Sequence, residues 1–313
     1  MKPAHALEAM LVRSLRAGVR AMPWRASLHF GAGLGDLARG LGIRRAVAEA
    51  NLAMALPERS APERADILAR HYRHIGQAAC EFLRLGELAR APEGEVFAAV
   101  HGAEHLETVR REGRGAILLS GHYGTIELGG AWIGQRYPVD IVVQPLSNPG
   151  VDAIHIGLLA EAGVGHIPLG AGARRIFSAL RAGRFVAMLA DQDARGDGVF
   201  VPFMGRLCST PVGPAAIALR TGTPIVMGFV TRQMDGRHVL DVLPPLRPEA
   251  DDGPDAVRAL TARHTACLEA WVRRHPEMWF WLHRRWKTPP PAGATPERPA
   301  GPASAGLGMA AGA

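Results

Sequence analysis

Residues Gly113 to Gly130 read G-R-G-A-I-L-L-S-G-H-Y-G-T-I-E-L-G-G, and this run places a buried strand, a tight turn and two catalytic residue types within eighteen positions. Ala116 to Leu119 is a short apolar run bounded by glycines, which suits a strand covered on both faces in an α/β sheet. His122 and Glu127 follow. On one α-helix a five-residue separation is about 500°, so the two side chains would diverge by roughly 140°. They converge only if His122 sits on the turn after the strand and Glu127 in the first turn of the next helix. That places a His/carboxylate pair at a strand's carboxyl end, beside a helix N-terminus whose N–H groups suit an oxyanion. Such a pair makes the imidazole a base toward a hydroxyl. Spacing alone also admits a turn histidine and a glutamate that merely favours the helix dipole.

Working outward, strands and helices alternate from Phe97 to Ala190: strands at Phe97 to His101, Val139 to Gln144, Gly165 to Leu169 and Phe185 to Ala190, with helices between. This predicts an α/β fold with a mostly parallel central sheet, helices on both faces, and N-terminal helices before it. Later come a strand at Val199 to Pro202, a helix near Pro214 to Thr221, and an antiparallel pair, Pro224 to Val230 and His238 to Leu243. Residues 1–45 read as helices broken at Pro23, with Gly31 to Gly42 as a glycine-rich connector. The G-x-G-x-x-A at Gly33 to Ala38 follows no strand and is set aside as a dinucleotide loop. Ser60 and Pro62 mark the start of a long helix carrying His71 and His74, which read as packing or surface residues without a third ligand. Residues 46–288 form the expected catalytic domain, and 289–313, rich in Pro, Gly and Ala, a flexible tail.

The 313 residues are 48% hydrophobic, ample for a large core, and carry a net charge of +7 almost wholly as arginine. A basic surface fits anionic lipid, phosphorylated substrate or an acidic carrier protein. Nucleic acid is disfavoured, because aromatic residues are only 6% and no recognised binding motif occurs. Cys80, Cys208 and Cys267 match no paired or zinc spacing and read as reduced thiols. No apolar run reaches eighteen residues and no secretory leader is evident, so no bilayer span is expected. In a helix over Leu7 to Met22, however, Leu7, Leu11, Leu15, Val19 and Met22 fall within about 120° of arc, opposite Arg13, Arg16 and Arg20. That pattern suits an interfacial helix as well as one packed on the domain.

Asp191-Gln192-Asp193 ends the strand Phe185 to Ala190 and falls on the same sheet edge as His122. A D-x-D there is a common pattern that also serves metal and nucleotide-sugar sites. Arg174 and Arg175 open a helix and suit phosphate, although solvated arginines are the default. His275 to Lys287, H-P-E-M-W-F-W-L-H-R-R-W-K, sets three tryptophans among basic residues, a composition that fits a lipid interface, RNA stacking or a packed core.

Together these stretches resemble the bacterial lipid A late acyltransferases, across roughly residues 40 to 290. His122, Gly124 and Glu127 match the family's H-x4-D/E motif, while Thr125 and Ile126 depart from it. The match continues through N-L-A-M-A-L-P-E at Asn51 to Glu58, through D-Q-D with the loop Gly198 to Gly205 and Thr210, and through the Trp-rich end. The resemblance implies an acyltransferase with His122 as base and Glu127 orienting it. Asn148, Arg174, Arg175, Asp191, Gln192, Asp193 and Arg284 are then substrate-binding, with no metal and no cofactor. It implies an acyl carrier protein as donor, a lipid A precursor hydroxyl as acceptor, and a peripheral or monotopic place on the cytoplasmic face of the inner membrane. Gln144 and Leu158-Leu159 stand where family members carry arginine, which keeps open a phosphatidylinositol mannoside-type or lysophospholipid acceptor, or a non-catalytic member of the fold.

Overall fold

Ala116–Ser120 is buried at all five positions, as a strand with both faces covered must be. The computed structural model describes residues 2–170, 173–248 and 255–295. Four helices and a short fifth come first: α1 (Pro3–Ala21), α2 (Trp24–Gly40), α3 (Arg45–Ala55), α4 (Ala61–Leu83) and α5 (Leu85–Leu88). The alternating part follows as β1 (Phe97–His101), α6 (Ala103–Arg111), β2 (Ala116–Ser120), α7 (Ile126–Gly134), β3 (Val139–Val143), α8 (Pro149–Glu161), β4 (Gly165–Pro168), α9 (Ala173–Arg181) and β5 (Phe185–Leu189). The chain continues through β6 (Gly198–Phe203), β7 (Arg206–Pro211), α10 (Gly213–Thr221), β8 (Ile225–Arg232), β9 (His238–Val242) and α11 (Ala256–Arg274).

The fold is α/β, as expected. Seven strands form one sheet in the order β1-β9-β8-β2-β5-β3-β4, parallel throughout except where β8 meets β9. Two apolar clusters cover its faces. One gathers β2, β5 and β8 residues with α3, α4, α10 and α11, and the other gathers the opposite face with α6, α7 and α8. Ser60 and Glu63 close a reciprocal cap on α4, with Ser60 N–H donating to Glu63 Oε2 at 2.7 Å.

Two elements escape the sequence pattern. β6 folds back on β7 through Met204-Gly205, both at positive φ, the two-residue turn that matches strand twist. The run Arg206–Pro211 alternates too weakly in polarity to announce itself. α11 buries Leu260, His264, Leu268 and Trp271 among polar neighbours, which dilutes its stripe.

The expected connector at Gly31 to Gly42 is a correction: α2 runs through Gly31, Gly33 and Gly35 without a break. These glycines serve contact rather than bending. A Cβ at Gly31 would stand 2.5 Å from the Gly76 carbonyl oxygen, and Gly35 and Gly76 are crowded by backbone in the same way. α2 therefore crosses α4 backbone to backbone, as small residues permit. Gly76→Ala is expected to lose about 1–3 kcal/mol of unfolding free energy by forcing the helices apart, whereas Gly33→Ala, with nothing within 4 Å of the new methyl, should be neutral or stabilising. Urea denaturation of the two variants checks the contrast.

α1 packs on the protein by a face beside its leucine stripe. His5, Ala9, Val12, Arg16 and Val19 face the protein, with Arg16 Nη2 2.6 Å from Glu161 Oε2 on α8. Val19 is fully buried, so it leaves the expected leucine stripe. Leu7, Met10, Leu11 and Leu15 point away and stay exposed, and Phe30, Leu34 and Leu37 do the same on α2, as does Leu41 just past its end. No helix among the described residues is long and apolar enough to cross a membrane. Of the predicted tail, residues 296–313 lie outside the described residues.

Candidate active site

Strand order brings the site together. Ser120 of β2 pairs in register with Leu189 of β5, so His122 and Asp191 each stand two residues beyond adjacent strand ends. His122 Nδ1 donates to Asp191 Oδ1 at 2.7 Å, and the His122 backbone N–H donates to Asp191 Oδ2 at 2.8 Å. The indole Nε1–H of Trp279 reaches the same Oδ2 at 2.8 Å. Burial alone would raise the Asp191 carboxyl, but the His122 charge and these hydrogen bonds outweigh it and hold it at about 2. Burial likewise opposes the His122 cation, and the Asp191 carboxylate more than offsets this, so His122 titrates above the ordinary 6.5.

The expected partner of His122 was Glu127, and the hydrogen bond goes instead to Asp191. Glu127 is in the first turn of α7, as expected, but it lines the apolar cleft beneath that helix. Its charge contributes a smaller upward push on His122. With Nδ1 committed as donor, Nε2 becomes the accepting nitrogen. The Gln192 amide approaches it at 3.5 Å.

The turn that carries His122 is clamped from behind. Phe280 N–H donates to the His122 carbonyl at 2.9 Å, and Gly124 N–H donates to the Met278 carbonyl at 2.9 Å. Gly124 has φ of 60°, and any side chain there would strike the Val230 carbonyl oxygen. Thr125 Oγ1 donates to Glu81 Oε2 at 3.2 Å. Glu81 is fully buried and also accepts from Arg232 and, at 2.8 Å, from His238 Nε2.

The other predicted site residues divide. Asp193 joins the site's frame: its N–H donates to His283 Nε2 at 3.0 Å and its carboxylate accepts from Thr288. Asn148 is buried as the cap of α8 and donates to His5 and Glu8 on α1, tying those helices together. Arg174 and Arg175 are exposed at the start of α9, and Arg284 is exposed beside Trp286. Trp279 and Trp281 are core residues at 1% and 0% exposure, and only Trp286 of the three reaches the surface.

Sequence reasoning missed four residues. Arg285, next to the predicted Arg284, is buried and holds the D-Q-D loop through the Gln192 and Ser209 carbonyls and Thr210 Oγ1. Glu81, Arg232 and His238 form the charge cluster behind Thr125. Glu81 had a signal, since it continues the spacing of Ile67, His71 and His74 along the buried face of α4.

Beneath α7 runs an apolar cleft, floored by Leu118, Ala187 and Val226 and bounded by Leu106, Ile141 and Leu159. Glu127 and Ser120 lie in its lining, close to the His122 turn. A basic histidine beside a slot for a hydrocarbon is what an enzyme passing fatty acyl groups to an alcohol requires, and the chain is an acyltransferase. It belongs to the bacterial lipid A biosynthesis acyltransferase family, whose sequence profile matches residues 3–288. It is 28% identical over 275 residues to the lipid A biosynthesis lauroyltransferase of Escherichia coli strain K12, covering 86% of this chain and 88% of that protein. The lipid A biosynthesis palmitoleoyltransferase of the same strain is 27% identical over 86% of this chain and 87% of its own. A phosphatidylinositol mannoside acyltransferase of Mycolicibacterium smegmatis is also 27% identical, over 86% of this chain and 88% of that protein.

The Glu81 cluster makes a stability prediction. Arg232→Met leaves a buried carboxylate without its main counter-charge and is expected to cost about 3–5 kcal/mol. A denaturation midpoint unchanged from the native protein would mean that Thr125 and His238 satisfy Glu81 by themselves.

Proposed function

We propose that the protein transfers a fatty acyl chain from a carrier-protein thioester to a hydroxyl of a lipid A precursor, with His122 as general base. The observation that carries this reading is the 2.7 Å bond from His122 Nδ1 to Asp191, which fixes the tautomer and leaves Nε2 to accept a proton. Nε2 takes the proton of the acceptor hydroxyl, and the oxygen attacks the thioester carbonyl. The tetrahedral oxyanion lies against the first-turn N–H groups of α7. Its collapse breaks the carbon–sulfur bond, and the departing thiolate takes the proton back from the imidazolium. Asp191 stabilises that cation throughout, and Glu127, in the lining of the cleft, adds to the same field. No covalent acyl-enzyme is needed, because no cysteine or elbow serine stands in the site.

The acyl chain enters the apolar cleft beneath α7, whose free volume of about 70 Å³ receives its leading methylenes. The net charge of +7 favours an acidic carrier protein and anionic lipid. The exposed leucines of α1 and the apolar stripe of α2 give a face that rests on the cytoplasmic side of the inner membrane without spanning it. Leu7→Asp with Leu11→Asp should lower binding to anionic phospholipid vesicles about tenfold or more in a sedimentation assay, with unfolding unchanged.

A second acceptor class, a phosphatidylinositol mannoside-type glycolipid, is favoured by the Mycolicibacterium relative and by Leu159. That leucine stands where an arginine was expected and is buried against the cleft, where it presents no charge to a phosphate. Mass spectrometry of lipid A and other glycolipids from cells with the native gene, without it, and with His122→Ala distinguishes the acceptors. Loss of one acyl chain from lipid A in both altered strains supports the first reading, and loss from another glycolipid supports the second.

The pH dependence tests the base. Because His122 must be neutral to accept a proton and titrates above 6.5, kcat/KM should fall as pH drops through that raised value. Asp191→Asn should move this acid limb downward and reduce the plateau by about 10²-fold or more. A limb that stays in place would assign the titration to another group.

A further inference from the structure

The middle of α7 contains two consecutive glycines, Gly129 and Gly130, although glycine inside a helix is destabilising relative to alanine. Gly129 has a packing reason: a Cβ there would meet Val230 Cγ2 at 2.7 Å. Gly130 has neither that reason nor a conformational one. A Cβ at Gly130 would have no atom within 4 Å, and Gly130 is absent from the positive-φ glycines. What the missing side chain creates is space in the cleft. Gly130 lies on the helical face of Ile126, Glu127 and Ile133, all of which line it. The sheet adds two small residues, Ala187 and Gly228, to a lining that is otherwise mostly leucine, isoleucine, valine and methionine.

We infer that Gly130 is a specificity-determining residue that sets the length of acyl chain the protein accepts. The inference rests on reading the cleft as the acyl site. Gly130 lies three residues past Glu127, about 4.5 Å along the helix, and the cleft they line also takes in Ser120, two residues before His122. A side chain at 130 narrows the passage beyond its first few methylenes. Short chains stop before the obstruction, and long chains must pass it. The native glycine thus gives up helix stability in exchange for depth.

The test uses the full-length protein with Gly130→Ala and Gly130→Leu, given an equimolar mixture of saturated acyl thioesters of graded length. Gly130→Ala should melt at the native temperature or higher, because the new methyl meets nothing and improves helix propensity. Against the longest donor the native protein uses, kcat/KM should fall at least about tenfold in Gly130→Leu and by a smaller factor in Gly130→Ala. The shortest donors should stay within about twofold of native. An unchanged length profile in Gly130→Ala together with Gly130→Leu overturns the assignment. If Gly130→Leu fails to fold, an unchanged profile in Gly130→Ala combined with Ala187→Leu does the same.

Calorimetric titration with free fatty acids separates this from failure of the underlying reading. Native protein that binds fatty acids, with the same length preference in Gly130→Leu, removes the role of Gly130 alone. Native protein that binds no fatty acid of any length removes the acyl cleft itself.

Discussion

The site depends on one buried carboxylate. Asp191 is 4% exposed, and an ionised carboxyl at that depth persists only if donors surround it. Three N–H groups do so: the ring and backbone of His122 and the indole of Trp279. Two come from one residue of the turn after β2 and the third from the segment after α11. One ion therefore joins the two central strands to the end of the described chain and fixes which imidazole nitrogen accepts a proton. The Glu81 cluster repeats the solution behind Thr125, with a guanidinium, an imidazole and a hydroxyl around a second buried carboxylate. Between the two anions, the His122 turn is held on both sides.

This rigidity has a counterpart in the parts left open. α1 and α2 bury Val19 and Leu28 with small and polar residues against the protein, yet turn leucines and a phenylalanine outward as well, so each is apolar on more than its packed face. The cleft beneath α7 is lined mostly by leucine, isoleucine, valine and methionine, with Gly129, Gly130, Ala187 and Gly228 as the small residues among them. The protein thus combines fixed polar chemistry with two apolar regions, one an internal slot and the other an outer face.

Local features were legible and pairings between distant segments were not. The run Ala116 to Leu119 declared a buried strand, and the glycines beside His122 declared the turn, because both depend on residues within a few positions. Asp191 was placed on the correct sheet edge, yet its bond to His122 follows from β2 and β5 being neighbours, which no periodicity reveals. Glu127 was favoured as the partner by its closeness in sequence, but the first turn of α7 sets it against the cleft. The tryptophans of the basic C-terminal stretch have the same composition in a core as at a lipid interface, and only their partners, Asp191 and the Pro276 carbonyl, decide between the two. Gly31 and Gly35 looked like a connector for a similar reason: close helix contact and chain flexibility both call for glycine, and the difference lies on α4.

The clamp on the His122 turn also imposes an order in time. A ribosome delivers His122 and Asp191 well before Trp279, which lies 88 residues beyond Asp191. Until that segment emerges, the carboxylate lacks its indole donor and the turn lacks the Met278 and Phe280 backbone bonds. Domains generally fold as units, and Trp271, Trp279 and Trp281 share one core with β2, β5 and β8, so the histidine turn takes its braced form only when this last segment joins the sheet. The helices that carry the exposed leucines are thus synthesised first, and the brace on the proton-accepting histidine is the last part of the site to be made.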